Sequence, residues 1–418
     1  FRFANGTTGN HADVLARAVD GSGTPDDKAA TAGDDVYAVD HIDDRIVEQA
    51  GGGYDRVVSS ASYTLPAEVE ELSLTGTLNL RANGNSGDNV ISGNDGANAL
   101  SGGNGRDTLL GGRGDDRYTL AGNGNGDVED TVVEAAGEGD DSVIVENWFY
   151  TLPANVENLT ASGLGYYFSL VVDPVDPVFG WSSRPDPYTI RAHFQGNDGD
   201  NRIEAGVVSL YRTGDANRRR NILIDGGAGA DVLTGSLAND TYVIDHAGDR
   251  IVEPGAFDDG TQISAGDGIV TPFTVSLLTD QPDIERVELA GTQPVAAEGN
   301  AADNVLIATG NPAANVLRGG AGNDVYVVDE NDVVEEQAGG GVDTMFIDVE
   351  EGARTRTTYG LAQYAHVENL AITGRSGSAV LLGDAGDNEL TGAGGSAAAG
   401  LRDDRLEGGA GNDVLRDA

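Results

Sequence analysis

Residues 84–119 read GNSGDNVIS, GNDGANALS, GGNGRDTLL and GGRGDDRYT, which are four consecutive blocks of nine residues. In every block the first and fourth residues are glycine, the sixth is Asn or Asp, and the eighth is Ile, Leu or Tyr. Glycines at these positions disfavour a helix and permit the positive φ angles of tight turns. The last three residues of each block suit a short strand with one inward side chain. The stretch therefore predicts one turn and one strand in each block.

Two such blocks form a flattened coil of eighteen residues, and successive coils stack at roughly 4.8 Å, the usual spacing of strands. Turns then superpose every second block, which places Asp107 over Asn89 and Asp116 over Asn98. Stacked carboxylates repel one another unless a cation lies between them, and glycine-rich turns aim backbone carbonyls at the same gap. A set of six or more oxygen ligands favours Ca²⁺ over Mg²⁺, which requires stricter octahedral geometry.

The blocks resemble the repeats-in-toxin, or haemolysin-type, calcium-binding nonapeptide Gly-Gly-x-Gly-x-Asp-x-apolar-x. This resemblance implies an all-β fold, a right-handed parallel β-roll or β-solenoid of stacked short strands with Ca²⁺ between Gly/Asp-rich turns. In that family, one turn supplies the carbonyls of positions two and four with its position-six side chain. The turn two blocks later supplies the carbonyls of positions one and three with its own Asp.

Carried over residue by residue, the resemblance implies two sites between residues 84 and 119. The first comprises Asn85, Gly87, Asn89, Gly102, Asn104 and Asp107, and the second comprises Asn94, Gly96, Asn98, Gly111, Arg113 and Asp116. The family pattern has Asp at position six, so the neutral Asn89 and Asn98 predict weaker sites than an Asp–Asp pair. Related blocks elsewhere predict further ligands at Asp35, Asp231, Asp240, Asn304, Asp324, Asn388, Asp404 and Asp413.

A longer repeat connects these clusters. It opens at a tyrosine, continues with an Asp-to-Glu strand segment and a glycine turn, and ends in a Val/Ile-Glu-x-Leu/Val strand. The opening tyrosines are Tyr37, Tyr118, Tyr242 and Tyr326, and the Asp-to-Glu segments are 44–48, 130–134, 249–253 and 332–335. The predicted organisation is a degenerate N-terminal segment at 1–29 followed by four solenoid units at 30–119, 120–243, 244–327 and 328–418. Spacers of this kind resemble the long repeats of type-I-secreted bacterial surface proteins.

The second unit carries two inserts, residues 164–195 and 205–220. Four prolines in the first insert forbid regular structure there, and aromatic side chains are concentrated in and beside it. Three interpretations stay open: a loop that covers its own coil, a contact between subunits, or a surface that stacks on sugar rings. The residues concerned are Trp148, Tyr166, Tyr167, Phe179, Trp181 and Tyr188.

Composition limits the class of protein. The 418 residues have a formal charge of −44, which disfavours nucleic acid as a partner. The chain has no cysteine, and no apolar run approaches the ~20 residues of a membrane span. Because it begins at Phe1, we expect a mature or partial product. No zincin, nucleophile-elbow or phosphate-loop motif is present, so we predict a non-catalytic protein.

These observations favour a calcium-dependent extracellular or cell-surface protein, exported by the type I route of Gram-negative bacteria. The leading hypothesis is a structural protein that self-associates into a surface layer, coat or filament, with cell-surface polysaccharide as a further partner. The alternative is the C-terminal calcium-binding module of a larger secreted exoenzyme or adhesin. A third hypothesis is an enzyme that modifies acidic polysaccharides, because parallel β-helix enzymes that act on such substrates exist.

Overall fold

The computed structural model describes residues 25, 27–29, 33–120, 128–145, 149–161, 190–205, 221–236, 240–253, 266–278, 284–348, 357–373, 379–392 and 404–416. They divide into two compact units, one from the described parts of 1–218 and 224–236, the other from those of 219–223 and 237–418. Regular structure in the described parts is all strand apart from the 3₁₀ turn Leu361–Gln363. The all-β prediction is therefore confirmed. No helical segment in these ranges has the length and hydrophobicity of a membrane span.

The strands are two to six residues long, as the x-apolar-x ends of the blocks predict. Those before residue 237 are β1 Asp27–Ala29, β2 Val36–Val39, β3 Arg45–Val47, β4 Arg56–Ser59, β5 Tyr63–Thr64, β6 Glu71–Leu74, β7 Arg81–Asn83, β8 Val90–Ser92, β9 Ala99–Ser101, β10 Thr108–Leu110, β11 Arg117–Leu120, β12 Thr131–Val133, β13 Ser142–Val145, β14 Phe149–Thr151, β15 Asn158–Ala161, β16 Ile190–Gln195, β17 Arg202–Ala205, β18 Asn221–Asp225 and β19 Val232–Thr234. The later ones are β20 Asp240–Val243, β21 Arg250–Val252, β22 Gly268–Thr271, β23 Val275–Ser276, β24 Arg286–Leu289, β25 Ala296–Glu298, β26 Val305–Ile307, β27 Val316–Arg318, β28 Val325–Val328, β29 Val333–Val334, β30 Thr344–Asp348, β31 Thr357–Gly360, β32 Asn369–Thr373, β33 Ala379–Leu382, β34 Glu389–Thr391, β35 Arg405–Glu407 and β36 Val414–Arg416.

Pairing joins alternate strands rather than consecutive ones. In the first unit, one sheet has the order β12-β10-β8-β6-β4-β2, and the facing sheet runs β19-β17-β15-β13-β11-β9-β7-β5. In the second unit the main order is β20-β22-β24-β26-β28-β30-β32-β34-β36, beside the shorter sheets β23-β25-β27-β29 and β31-β33-β35. The register is parallel, as at β8, β10 and β12. This architecture is a parallel β-roll, which confirms the predicted fold.

Most strands turn one or two side chains inward, and the parallel register stacks these side chains into columns. In the first unit Leu72, Ile91 and Leu109 lie directly above one another and are completely buried. Leu100 and Tyr118 belong to a second column in the facing sheet. The apolar core is therefore a row of stacked side chains between two thin sheets.

The repeat tyrosines occupy the same columns as the aliphatic residues. Tyr37 pairs with Val57, Tyr118 with Leu100, and Tyr326 with Leu306 in the parallel register. All four repeat tyrosines are almost completely buried. The division of the chain into four repeat units remains a prediction, as does the degenerate segment at 1–29.

We predict that Ile91→Ala lowers the free energy of unfolding by about 2–5 kcal/mol, because it leaves a cavity between Leu72 and Leu109. Urea unfolding at saturating calcium measures the change. Leu78→Ala is the control, since its side chain is 66% exposed and about 0.5 kcal/mol or less is expected. Equal losses in both variants would contradict the column as the core.

Candidate metal centre

The first predicted site is built where the turns at residues 84–89 and 102–107 stack. A Cβ placed on Gly84 would collide with the carbonyl oxygen of Gly102 and with Asn89 Oδ1. A Cβ placed on Gly102 would collide with Asp107 Oδ2. Glycine at position one is therefore required by the close approach of oxygen atoms, whereas the sequence suggested a need for positive φ.

Positive φ is instead found at positions two and four of the third block. Gly103 and Gly105 have φ of +97° and +120°. A Cβ on Gly105 would lie 2.7 Å from the carbonyl oxygen of Gly87, and one on Gly103 would collide with that of Asn85. The carbonyls of the lower turn thus point at the backbone of the turn above. Asn104 is exposed, and its N–H donates to the Asn85 carbonyl at 3.3 Å.

The second predicted site has the same construction one strand further along the chain. A Cβ on Gly93 would collide with the Gly111 carbonyl oxygen and with Asn98 Oδ1. Gly112 and Gly114 lie over Asn94 and Gly96, with 3.0 and 2.7 Å between the ideal Cβ positions and the carbonyl oxygens below. Arg113 is exposed between them. The two sites therefore repeat a single arrangement of oxygen atoms.

A ladder of backbone-to-carboxylate hydrogen bonds crosses the stacked turns. The N–H of Asn89 donates to Asp107 Oδ1 at 2.7 Å, and the N–H of Asn98 donates to Asp116 Oδ1 at 2.6 Å. The N–H of Asp116 in turn donates to Asp141 Oδ1 at 2.7 Å. In the other bonds of the ladder, the backbone N–H of the first residue donates to the carboxylate of the second. These pairs are Asp35 and Asp55, Asn201 and Asp231, Asp240 and Asp267, Asn304 and Asp324, Asp324 and Asp343, and Asn388 and Asp413. Each bond fixes one carboxylate oxygen against the neighbouring coil.

The second oxygen of several of these carboxylates is buried without a protein hydrogen-bond partner among the described residues. Asp107 Oδ2, Asp116 Oδ2 and Asp324 Oδ2 are examples, in side chains that are at most 1% exposed. Burying an unsatisfied carboxylate oxygen is costly unless a counter-charge accompanies it. Carboxylate, amide and carbonyl oxygens, without nitrogen or sulfur, are the donor set of Ca²⁺. The residues present therefore fit a calcium site.

The carboxyl groups of the ladder have raised pKa values, although the hydrogen bonds from the backbone N–H groups act to lower them. Burial is the main cause, and it raises the pKa of Asp107 to about 6 and that of Asp116 to about 7. The neighbouring carboxylates Asp130 and Asp141 add a smaller upward shift. Burial likewise raises the pKa of Asp324 to about 7. In the folded stack, these groups therefore lose their protons at a higher pH than an exposed aspartate does.

The remaining predicted ligands fall into two groups. Asp35, Asp231, Asp240, Asn304 and Asn388 are buried in the ladder, whereas Asp404 and Asp413 are half-buried. Asp404 accepts a hydrogen bond from the Ala379 N–H at 2.8 Å. Their role as ligands remains a prediction. The predicted aromatic surface at Trp148, Tyr166, Tyr167, Phe179, Trp181 and Tyr188 lies outside the described residues.

Sequence reasoning missed the carboxylates that the spacers add to the ladder. Asp55, Asp141 and Asp343 occupy the position-six place of coils that looked like ordinary glycine turns. The signal was present, because residues 51–55, 137–141 and 339–343 all read Gly-x-Gly-x-Asp, which is positions two to six of the nonapeptide. The ladder continues into the following coil, where a glutamate accepts the N–H of the spacer Asp that precedes it. The pairs are Asp55 with Glu70, Asp141 with Glu157, Asp267 with Glu285, and Asp343 with Glu368.

One spacer residue was also assigned incorrectly. The expected counterpart of Glu48, Glu134 and Glu253 was Glu335, but Glu335 is exposed and forms an ion pair with Arg318. The tyrosine hydroxyl of that repeat donates to Glu336 instead. Glu336 restores the spacing of four residues after the Asp that the other three copies share.

Comparison with known proteins agrees with this geometry. The RTX calcium-binding nonapeptide repeat matches the chain in four places, at residues 83–118, 223–243, 298–332 and 398–416. The chain therefore carries RTX calcium-binding repeats, which are typical of extracellular proteins secreted by the type I route. A stretch of 59 residues is 44% identical to the endo-1,3-1,4-β-glycanase ExsH of Rhizobium meliloti (strain 1021). That match covers 14% of this chain and 12% of the relative.

We predict that acid partly replaces calcium in holding the fold. A carboxyl group with a raised pKa stabilises the fold below its unfolded pKa near 4, and this stabilisation is lost as pH rises through about 6–7. Calcium-stripped protein should therefore gain β-structure between about pH 8 and about pH 5. Far-ultraviolet circular dichroism measures the change, and an unaltered signal would contradict the raised pKa values.

Two glycine variants separate backbone strain from loss of the site. Gly103→Ala and Gly51→Ala both place a side chain at positive φ, at +97° and +77°. A Cβ on Gly103 collides with the Asn85 carbonyl, whereas one on Gly51 meets nothing within 4 Å. We expect Gly103→Ala alone to raise the calcium midpoint of folding markedly, beyond the strain of about 1–2 kcal/mol common to both. Equal midpoints would show that the carbonyl cradle is not needed.

Proposed function

We propose that this chain is a calcium-dependent extracellular structural protein that folds when calcium binds after secretion. The proposal rests on the ladder of buried carboxylates. In each of them one oxygen accepts a hydrogen bond from a backbone N–H. In several, the other oxygen has no hydrogen-bond partner among the described residues. Such a ladder opposes folding at neutral pH unless positive charge is added. The excess of acidic residues over the whole chain acts in the same direction, since the formal charge is −44.

The calcium concentration around the chain determines whether it folds. Extracellular calcium modules have dissociation constants of roughly 10⁻⁴–10⁻³ M, far above the free calcium inside a cell. Before export, Asp107 and Asp116 therefore repel the neighbouring acidic turns and keep the chain unfolded. Bound calcium supplies the counter-charge that lets these carboxylates superpose. Each site contributes RT ln(1 + [Ca²⁺]/Kd), about 1.4 kcal/mol at a tenfold excess, and the contributions add along the stack.

We further propose that the folded chain self-associates into a surface layer, coat or filament after type I secretion. Self-association is supported by repetition along most of the sequence and by the RTX repeats, which occur in secreted proteins. A repetitive roll with one periodic surface suits an assembly built from identical contacts.

A second candidate is the calcium-binding module of a larger secreted protein that acts on polysaccharide. The local likeness to an endo-1,3-1,4-β-glycanase favours it, although the match covers only 12% of that relative. In this case the roll aids export and folding, and a catalytic domain lies elsewhere in the gene product. In both candidates calcium binding drives folding, and the candidates differ in the function of the folded roll.

Substitution of aspartates in the ladder tests whether calcium binding drives folding. Asp107→Ala and Asp116→Ala should each raise the calcium midpoint of β-structure formation, with a loss of about 1.4 kcal/mol at tenfold excess calcium. Circular dichroism during a calcium titration gives the midpoint. Asp95→Ala is the matched control, because its exposed carboxylate carries the same charge outside the ladder. If all three variants shift the midpoint equally, general repulsion rather than site occupancy controls folding.

Electron microscopy and a hydrolysis assay separate the two candidates. Ordered sheets or filaments at millimolar calcium that dissolve in chelator support the structural protein. Release of reducing ends from mixed-linkage β-glucan by the full gene product, with dispersed particles at every calcium concentration, supports the module.

A further inference from the structure

A second kind of acidic cluster shares Asp116 with the second predicted nonapeptide site and extends into the next coil. It consists of Asp116, Glu134 and Asp141, and each offers a ligand atom within 4.8 Å of the other two. Asp116 belongs to the fourth nonapeptide, whereas Glu134 and Asp141 come from the spacer that follows. All three side chains are buried.

The parallel register explains how Glu134 reaches this place. Leu110 pairs with Val133, so Glu134 stands over Gly111, where a regular nonapeptide would place another glycine. Its side chain turns back along the stack. A Cβ on Gly111 would collide with Asp116 Oδ2 and with Glu134 Oε1. The missing side chain of Gly111 thus makes the space in which the two carboxylates approach each other.

Each carboxylate of the cluster has one oxygen fixed and one oxygen free of protein partners. Asp116 Oδ1 accepts the Asn98 N–H, Asp141 Oδ1 accepts the Asp116 N–H at 2.7 Å, and Glu134 Oε1 accepts the Tyr118 hydroxyl. Asp116 Oδ2, Glu134 Oε2 and Asp141 Oδ2 are buried and have no hydrogen-bond partner among the described residues. These residues are only 1%, 8% and 1% exposed. Three rigidly held side chains therefore bring unsatisfied anionic oxygens into one buried space.

We propose that this cluster is a divalent-cation site of the calcium class, in which the spacer residue Glu134 is a ligand. The choice of calcium as the ion rests on the proposed calcium-dependent folding, whereas the site itself does not. The nonapeptide sites at 84–119 each pair one Asp with one Asn, whereas this site has three carboxylates. Affinity in calcium sites rises with the number of charged ligands and with rigidity, so this site fills before its neighbours.

The same constellation recurs at the other spacers. The hydroxyls of Tyr37 and Tyr242 donate to Glu48 and Glu253. Their clusters are Asp35, Glu48 and Asp55, and Asp240, Glu253 and Asp267, again with ligand atoms within 4.8 Å of one another. Asp324, Glu336 and Asp343 hold the equivalent positions in the remaining repeat, where the Tyr326 hydroxyl donates to Glu336. The tyrosine of each longer repeat is therefore a positioning residue for the glutamate ligand.

Counting bound ions in three full-length variants tests the proposal. Glu134→Gln removes the ligand charge, Tyr118→Phe removes only the hydroxyl that orients it, and Glu204→Gln removes an equal charge from a surface ion pair with Arg202. Native mass spectrometry and calorimetry with calcium chloride give the stoichiometry and the affinities. We expect Glu134→Gln to lose one tightly bound ion per chain, or to bind it about 10-fold more weakly. Glu204→Gln should keep the full number at unchanged affinity, whereas Tyr118→Phe should keep the ion but bind it more weakly than the native chain does, because Glu134 is no longer oriented.

Each outcome decides between the alternatives. If Glu134→Gln folds with calcium and keeps every ion at unchanged affinity, the glutamate only supports Tyr118, and the inference fails while the folding switch stands. If Glu134→Gln does not fold at saturating calcium but Tyr118→Phe does, the carboxylate itself is required, which supports the site. If neither variant folds, the Tyr–Glu pair is structural and the inference is overturned. A native chain that folds without any bound calcium overturns the proposed function as well.

Discussion

The hydrogen bond from a backbone N–H of one turn to a carboxylate of the next coil is the constraint on which this structure depends. It fixes the vertical register of the turns, as in the bond from Asn98 to Asp116. The other oxygen of Asp116 is buried and has no hydrogen-bond partner among the described residues. Stacking the turns and creating sites for a hard cation are therefore one physical event. A roll of this kind is held by its turns as much as by its core.

The apolar core of such a roll is thin, with one or two inward side chains from most strands. Burial of a column such as Leu72, Ile91 and Leu109 gains free energy in proportion to apolar area, but each coil adds little. Superposed acidic turns oppose this gain. The balance between them makes folding responsive to a counter-ion. Burial is the main cause of the raised pKa values of Asp107 and Asp116, and the neighbouring carboxylates add to it.

The spacers extend the ladder rather than interrupt it. Asp141 takes the position-six place in a coil with no complete nonapeptide, and Glu157 of the following coil accepts the Asp141 N–H. The pairing of Tyr118 with Glu134 lets an aromatic ring fill the core while its hydroxyl orients a carboxylate at the edge. One residue thereby links apolar packing to the charged turns, and the four equivalent tyrosines do so in each longer repeat.

The sequence by itself determined the fold class, the strand length, the stacking of Asp107 on Asn89 and the chemistry of the ion. It could do so because a nine-residue period fixes which side chains face inward and which turns superpose. Only the tertiary structure decided that Gly84 and Gly102 are needed for close approach, that Glu336 rather than Glu335 meets Tyr326, and that Glu134 stands over Gly111 beside Asp116 and Asp141. These contacts join residues of different coils through spacers of unequal length. Their register is set by strand pairing across the stack. A local spacing such as the four residues from Asp332 to Glu336 shows which residues are equivalent between repeats, but not what each of them contacts.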